Sequence, residues 1–169
     1  PYFIPIEHAE GPEAFINGRK YIMIGSNNYL GLTTHPQVKE AAMEAVKKYG
    51  TSCTGSRFLN GTLNMHLELE ERLAKFIGVE AGLVFSTGFQ TNLGTIAAVI
   101  DDGDFIVTDK EVHASIVDGV RMARISQRNV EVRTFEHNNP ADLEQVLKSL
   151  PDKGGRLVIV DGVFSMGGD

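Results

Sequence analysis

Val84-Phe85-Ser86-Thr87-Gly88-Phe89-Gln90-Thr91-Asn92-Leu93-Gly94 changes character twice in a short span. Gly82-Leu83-Val84-Phe85 is a brief apolar run, short enough for a strand buried on both faces. Ser86-Thr87-Gly88 breaks it with small, hydroxylated residues, and Leu93, Ile96, Ala97 and Ile100 then recur at helical spacing. A strand, a small turn and a helix start make a geometry that catches anions. The first N–H groups of a helix lack internal partners, and the macrodipole adds partial positive charge there. Gly88 lets the backbone come close, and Ser86 and Thr87 can donate hydroxyls. Such turns occur throughout doubly wound proteins and most hold no ligand, so the stretch speaks for the fold before it speaks for a function.

Downstream, strand and helix patterns alternate. Asp104-Phe105-Ile106-Val107-Thr108 reads as a strand, His113 to Ala123 as a helix and Val130 to Phe135 as a strand. Asn139-Pro140-Ala141-Asp142 starts a helix with an N-cap, Pro at the first position and an acid in the first turn. Leu157-Val158-Ile159-Val160 is a further buried strand, ending at Asp161. This alternation predicts a parallel sheet covered by helices, with ligand-handling residues at the carboxyl ends of the strands. Ser86 to Phe89, Lys110 to His113, and Asp161 to Ser165 fall there.

Upstream, residues 1–18 read as an extended arm ending in a turn at Asn17-Gly18, a strong hairpin dipeptide. Tyr21-Ile22-Met23-Ile24 follows as a strand candidate. A helix begins at Thr34-His35-Pro36, carries an apolar stripe of Val38, Ala41, Ala42, Ala45, Val46 and Tyr49, and ends at Gly50. The long polar loop from Thr51 to Thr62 surrounds Arg57, and loops of this length in a compact domain are often functional. Met65, Leu69, Leu73, Phe76 and Ile77 mark the next helix, closed by Gly78.

Composition narrows the function classes. The chain has 169 residues, 42% hydrophobic and 22% charged, with a net charge of −6. These are values for a globular domain with a real core and no global attraction to nucleic acid or anionic membrane. The single cysteine, Cys53, excludes an internal disulfide, fits a reducing cytoplasmic location and reads as a packing residue. No apolar run is long enough to span a bilayer, and the first residues lack the pattern of a signal peptide. The sequence starts without Met and stops straight after a strand-like run, so a fragment is expected.

Further motifs join the opening stretch in a fixed order. They are Ser26-Asn27-Asn28-Tyr29-Leu30-Gly31-Leu32, Tyr49-Gly50-Thr51-Ser52-Cys53-Thr54-Gly55-Ser56-Arg57-Phe58-Leu59-Asn60-Gly61-Thr62, Ser86-Thr87-Gly88-Phe89, His113-Ala114-Ser115-Ile116, and Asp161-Gly162-Val163-Phe164-Ser165-Met166-Gly167-Gly168-Asp169. Together they resemble the α-oxoamine synthases, a branch of the fold-type I enzymes that use pyridoxal 5′-phosphate (PLP). Within that branch the motifs are most similar to bacterial serine palmitoyltransferases. Glycine C-acetyltransferases and 8-amino-7-oxononanoate synthases are the alternatives, as is a non-catalytic subunit or fragment.

The resemblance implies a three-layer α-β-α fold with a mainly parallel sheet, of which this chain is an N-terminal part. Residues 1–60 would form an arm, helix and active-site loop, and residues 61–169 the first part of a large PLP-binding domain. It implies condensation of an amino acid, L-serine in the reading favoured here, with a long-chain acyl-CoA, giving a 3-oxo-amine, CoA and CO2. A cytoplasmic homodimer is implied, with membrane association left open.

The resemblance also distributes roles. Gly88 and Phe89 would offer N–H groups to the cofactor phosphate, helped by Ser86 and Thr87. His113, the candidate catalytic residue, would stack on the pyridine ring. Asp161 and Ser165 would sit near the cofactor. Asn27 would contact the substrate carboxylate and Arg57 would lie close to the substrate. Plainer readings stand beside these: a turn cap for Asn27, an ion pair for Arg57, a strand end for Asp161, and surface or core roles for His8, His35, His66 and His137. No metal site is expected. The family's Schiff-base lysine and pyridine-nitrogen acid are expected outside this sequence, since none of its eight lysines stands in that context. Lys110, which precedes His113, is rejected for the role.

Overall fold

The computed structural model describes residues 2–127 and 129–169; Pro1 and Arg128 lie outside the described residues. The chain divides into two units, Pro1–Glu80 and Ala81–Asp169.

The first unit opens with an antiparallel meander of β1 (His8–Glu10), β2 (Glu13–Ile16) and β3 (Arg19–Ile22). The expected turn at Asn17-Gly18 joins β2 to β3. Both residues have positive φ, 50° and 67°, as a tight hairpin turn of right-handed strands requires. Ile16 pairs with Arg19 across it. β3 begins two residues before the expected strand at Tyr21, because the turn sets the register. The helix expected after Pro36 is α1 (Pro36–Tyr49), which His35 caps by accepting the Gln37 N–H on Nδ1 at 3.3 Å. Its apolar stripe covers no core, since none of its residues is buried.

Helix α2 (Asn64–Ile77) is capped in a related way. His66 Nδ1 accepts the Leu63 N–H at 2.9 Å, and Gly78 ends the helix in a left-handed conformation at φ 83°. The units part after Glu80 and not at residue 60, as the sequence suggested. Within the first unit, Arg57 of the loop grips Glu70 of α2 through both terminal guanidinium nitrogens, which ties loop and helix together.

The second unit holds a parallel sheet in the order β5-β4-β6, with β4 (Phe105–Asp109), β5 (Glu131–Phe135) and β6 (Arg156–Ile159). Helices α3 (Gly88–Val99), α4 (Ala114–Ser126) and α5 (Pro140–Ser149) cover it. Residues 81–85 lead into α3 and form none of the strands of this sheet, where a strand was expected at 82–85. Apolarity favours a strand, but only a place in a ladder makes one, and β5-β4-β6 does not include this run.

Chirality explains the layers. The step from β4 to β5 runs one way along the sheet, and the step from β5 to β6 runs back across β4. Right-handed crossovers in opposite directions put their helices on opposite faces. Two separate cores result. Ile96 and Ile100 of α3 meet Ile116, Val120 and Ala123 of α4 over Ile106. Phe105, Val107 and Phe135 meet Leu143, Val146, Leu147 and Leu150 on the other side. The fold is the three-layer α-β-α arrangement, and all five residues of β4 are buried, as befits a central parallel strand.

Asp109, at the end of β4, ties two loops together. Its carboxylate accepts the Glu111 N–H and the Asn138 N–H, both at 2.8 Å, and faces His137 Nδ1 at 2.9 Å. Burial pushes the Asp109 pKa up, but these hydrogen bonds and the histidine outweigh it and hold the group below its ordinary value. The bond to Asp109 raises the pKa of His137, against a smaller opposing effect of burial, and Asp169 adds to the rise.

The pair sets a pH window. The contribution of Asp109 is complete above its unfolded value, about 3.9, and is lost as pH falls through its lowered folded value. The contribution of His137 is complete below its unfolded value, about 6.5, and is lost as pH rises through its raised folded value. Urea midpoints should therefore peak in mildly acidic solution, and His137→Gln should flatten the alkaline limb and shrink the acid limb without removing it, since the Glu111 and Asn138 N–H groups still hold the Asp109 carboxylate. An alkaline limb that keeps its slope in the variant would exclude this pair as its source.

Gly119 sets how closely α3 and α4 pack. A Cβ there would stand 2.8 Å from Ile96 Cδ1 and 2.9 Å from the Asn92 carbonyl oxygen, and the backbone atom cannot yield cheaply. Gly119→Leu is expected to destabilise the protein by about 3 kcal/mol, the upper part of the usual overpacking range, read as a lower urea midpoint. An unchanged midpoint would mean that the two helices are not held at this separation.

Candidate functional site

The start of α3 is built by Thr87. Its backbone is extended at φ −146°, ψ 153°, and its Oγ1 accepts the Gln90 N–H at 3.1 Å. The Thr91 N–H and hydroxyl both donate to the Thr87 carbonyl. Helical geometry then leaves the N–H groups of Gly88 and Phe89 pointing out of the helix start. A Cβ on Gly88 would meet nothing within 4 Å, so the space beside this turn is open. Ser86, Thr87, Gly88 and Phe89 are all exposed.

His113 is the N-cap of α4, which begins one residue later than expected. Its Nδ1 accepts the Ser115 N–H at 3.1 Å and stands 2.7 Å from Ser115 Oγ. Its own backbone N–H donates to Asp161 Oδ2 at 2.7 Å. Asp161 follows β6, and His113 follows β4, so neighbouring parallel strands deliver the two residues to one end of the sheet. The plain strand-end reading of Asp161 is thus half of the account: it also fastens the loop that carries His113.

Helices α3 and α4 run the same way. Ser115 of α4 meets Asn92 of α3 at 2.9 Å, and Gly119, one turn on, lies against Asn92 and Ile96. Their two starts, each the positive end of a macrodipole, therefore lie at the same end of the layer. Ser86 to Phe89, His113 and Asp161 are gathered there. Ser165 lies in the exposed turn after the buried Phe164. Lys110 is held in an ion pair with Glu136.

Asn27 and Arg57 belong to the first unit. Asn27 lines a cavity of about 590 Å³ with Met23, Tyr29 and Leu30, and the Tyr29 hydroxyl donates to its Oδ1 at 3.4 Å. The turn cap weighed for Asn27 is made next door. Asn28 donates its N–H to Ser26 Oγ and accepts the Thr33 N–H on Oδ1. Arg57 is engaged by Glu70, and that bond raises its pKa, with burial opposing. The loop around it closes tightly, for a Cβ on Gly61 would overlap the Gly55 carbonyl. Cys53 lines a smaller hollow with Tyr49, Leu63 and His66.

Two site residues carry no role on sequence grounds alone, Asn92 and Ser115. The available signal was a serine two residues after a histidine at a helix start, a spacing at which the serine N–H can reach the imidazole.

The aminotransferase class I and II family profile matches residues 19–169. A serine palmitoyltransferase of Bacteriovorax stolpii is 52% identical over 169 residues, covering 99% of this chain and 39% of that protein. An 8-amino-7-oxononanoate synthase of Thermoanaerobacter pseudethanolicus is 45% identical, covering 97% of this chain and 40% of the relative. A solved serine palmitoyltransferase with a PLP internal aldimine superposes with a TM-score of 0.92 at 40% identity, covering 99% of this chain and 41% of that one. The chain thus spans about two fifths of the length of the proteins it matches. With the profile extending over most of its residues, the chain belongs to the aminotransferase class I and II family and, within it, to the α-oxoamine synthase branch.

Proposed function

We propose that the whole protein is a PLP-dependent C-acyltransferase that joins an amino acid, L-serine, to a long-chain acyl-CoA, releasing CoA and CO2. The observation that carries this reading is the meeting of His113 and Asp161 at the end of the sheet where α3 and α4 both start.

The residues present fit the cofactor in chemistry. A phosphate needs N–H donors at a positive helix end, and Gly88, Phe89 and the Thr87 hydroxyl supply them beside open space. A flat aromatic ring needs a flat face, and the imidazole of His113 offers one from an exposed position. When bound, PLP supplies an electron sink that stabilises negative charge on the amino-acid Cα. The chain's own residues hold it still. Asp161 pins the backbone of His113, and Ser115 occupies its Nδ1, which leaves Nε2–H as a donor to a substrate carboxylate. Asn27 is proposed as a carboxylate contact, Ser165 as a neighbour of the cofactor, and Arg57 as the residue that shapes its loop through Glu70.

The substrates, a homodimeric assembly and a cytoplasmic location belong to the same proposal. Among the described residues no helix is long and apolar enough to cross a membrane. The similarity to an 8-amino-7-oxononanoate synthase supports a second reading, with a different amino acid and acyl thioester. Full-length enzyme offered L-serine, glycine or L-alanine with long and short acyl-CoAs separates the two. Turnover of L-serine with a long-chain thioester supports the first. Turnover confined to L-alanine or to short thioesters would replace it with the second.

His113→Ala in the full-length enzyme should weaken PLP binding tenfold or less. Aromatic stacking is worth about 0.5–1.5 kcal/mol beyond area burial, and a factor of ten takes about 1.4 kcal/mol. The condensation rate should fall further, because misalignment of reacting groups costs rate steeply. His113→Phe should keep more cofactor affinity than Ala and lose rate with it. Cofactor titration and turnover in parallel check this; both variants behaving as wild type would remove His113 from the site.

A further inference from the structure

Asn92, Ser115 and His113 form a chain of polar contacts whose direction can be worked out. Asn92 Nδ2 lies 2.9 Å from Ser115 Oγ, and Ser115 Oγ lies 2.7 Å from His113 Nδ1. One donor in the chain is beyond ambiguity: the backbone N–H of Ser115, directed at His113 Nδ1 at 3.1 Å. A main-chain N–H can only donate, so Nδ1 must accept, and the proton of the neutral imidazole sits on Nε2. Nδ1 then cannot donate to Ser115 Oγ, so the hydroxyl must donate to Nδ1. A hydroxyl that spends its hydrogen on Nδ1 meets Asn92 only as an acceptor, which requires the Asn92 amide to present its NH2 and not its carbonyl. A single backbone group thus sets the polarity of the whole chain.

The packing holds it in place. Ser115 is 1% exposed, so its hydroxyl has no bulk water to turn to. Gly119 lets α4 approach the Asn92 backbone, which brings the amide within reach. The bond from the His113 N–H to Asp161 fixes the other side of the loop.

We propose that Asn92 and Ser115 are positioning residues that lock His113 as the Nε2–H tautomer and hold its ring in one plane, an assignment that rests on the cofactor reading above only for its catalytic meaning. The function of the relay is to keep a neutral ring face and one outward N–H donor available together, instead of a mixture of tautomers.

The test uses the purified full-length protein, freed of cofactor and labelled with 15N in its histidines. Long-range 1H–15N correlation at alkaline pH, where imidazole is neutral, separates pyrrole-type from pyridine-type nitrogens, and His113→Gln identifies the signals of His113. Wild type should show Nε2 as pyrrole-type and Nδ1 as a hydrogen-bonded pyridine-type nitrogen. Ser115→Ala should move Nδ1 toward the free pyridine position, and Ser115→Thr, which retains the hydroxyl, should restore it. Asn92→Asp is nearly isosteric but replaces the donor with an acceptor. It should draw the Ser115 hydroxyl away from Nδ1 and move the Nδ1 signal toward the free pyridine position, as Ser115→Ala does, while the Ser115 N–H keeps Nδ1 an acceptor. Adding Ser115→Ala to Asn92→Asp should move the signal no further than either change alone, because both act through the same hydroxyl. A role in packing alone would give shifts that add.

The proposal is overturned if wild type shows a tautomer mixture. It is also overturned if the His113 signals stay at their wild-type positions in both Ser115→Ala and Asn92→Asp while the other histidines report an intact fold. Titration with PLP on the same samples tests the cofactor reading separately. Weaker binding in Ser115→Ala than in Ser115→Thr supports both. No binding by wild type, with the nitrogen shifts as described, supports the relay and overturns the cofactor reading.

Discussion

The parallel pairing of β4 with both of its neighbours is the constraint on which the second unit depends. Its register places Thr108 opposite Thr134 on one side and Ile159 on the other. All three chains therefore leave the sheet at the same edge, and the loops after them begin within reach of each other. Two carboxylates use this. Asp161, after β6, takes the His113 N–H, and Asp109, at the end of β4, takes the N–H groups of Glu111 and Asn138. Each replaces ladder hydrogen bonds that the chain loses on leaving the sheet.

The helix starts repeat one device in different settings. His35, His66 and His113 each accept a backbone N–H on Nδ1 at the beginning of a helix. A neutral imidazole serves there as a capping acceptor in place of the usual serine or aspartate. At α1 and α2 the device ends with the cap. At α4 it is joined to a buried serine and an asparagine from the preceding helix, and the capping residue is also the ring proposed above to stack on the cofactor. The same bond that begins the helix thus decides which nitrogen of His113 carries its proton.

Much of this was legible in the sequence because it is local. The Asn17-Gly18 turn, the Asn139-Pro140 helix start and the Gly50 and Gly78 helix ends are each written within a few residues. The alternation of strand and helix after Ala81 announced a parallel sheet covered by helices, while the face each helix takes follows from chirality only once the order β5-β4-β6 is known. What escaped depends on partners distant in sequence. Arg57 pairs with Glu70 of α2, 13 positions on; Asn92 meets Ser115 across 23 positions; Asp109 holds residues 28 and 29 positions away. Residues 82–85 have the apolarity of a strand, but apolarity does not specify a neighbour, and they stand outside the ladder. The first hairpin, across Gly11 and Pro12, was hidden because both residues also read as breakers.

The strand order β5-β4-β6 also has a consequence in time. The meander β1-β2-β3 joins neighbours through short turns, and hairpins of that kind close in about 1–10 μs. The parallel sheet cannot assemble that way. Phe105 pairs with Glu131 and with Arg156, so β4 must close a long loop once and then a longer one before it has both neighbours. Each closure costs chain entropy before the ladder returns any stability. Until β6 arrives, the buried strand on which the site depends has an open flank, and for that interval Phe105 and Val107 await the α5 layer that covers them in the finished protein. A chain emerging from its N-terminus therefore reaches its local hairpins early and the framework behind His113 late.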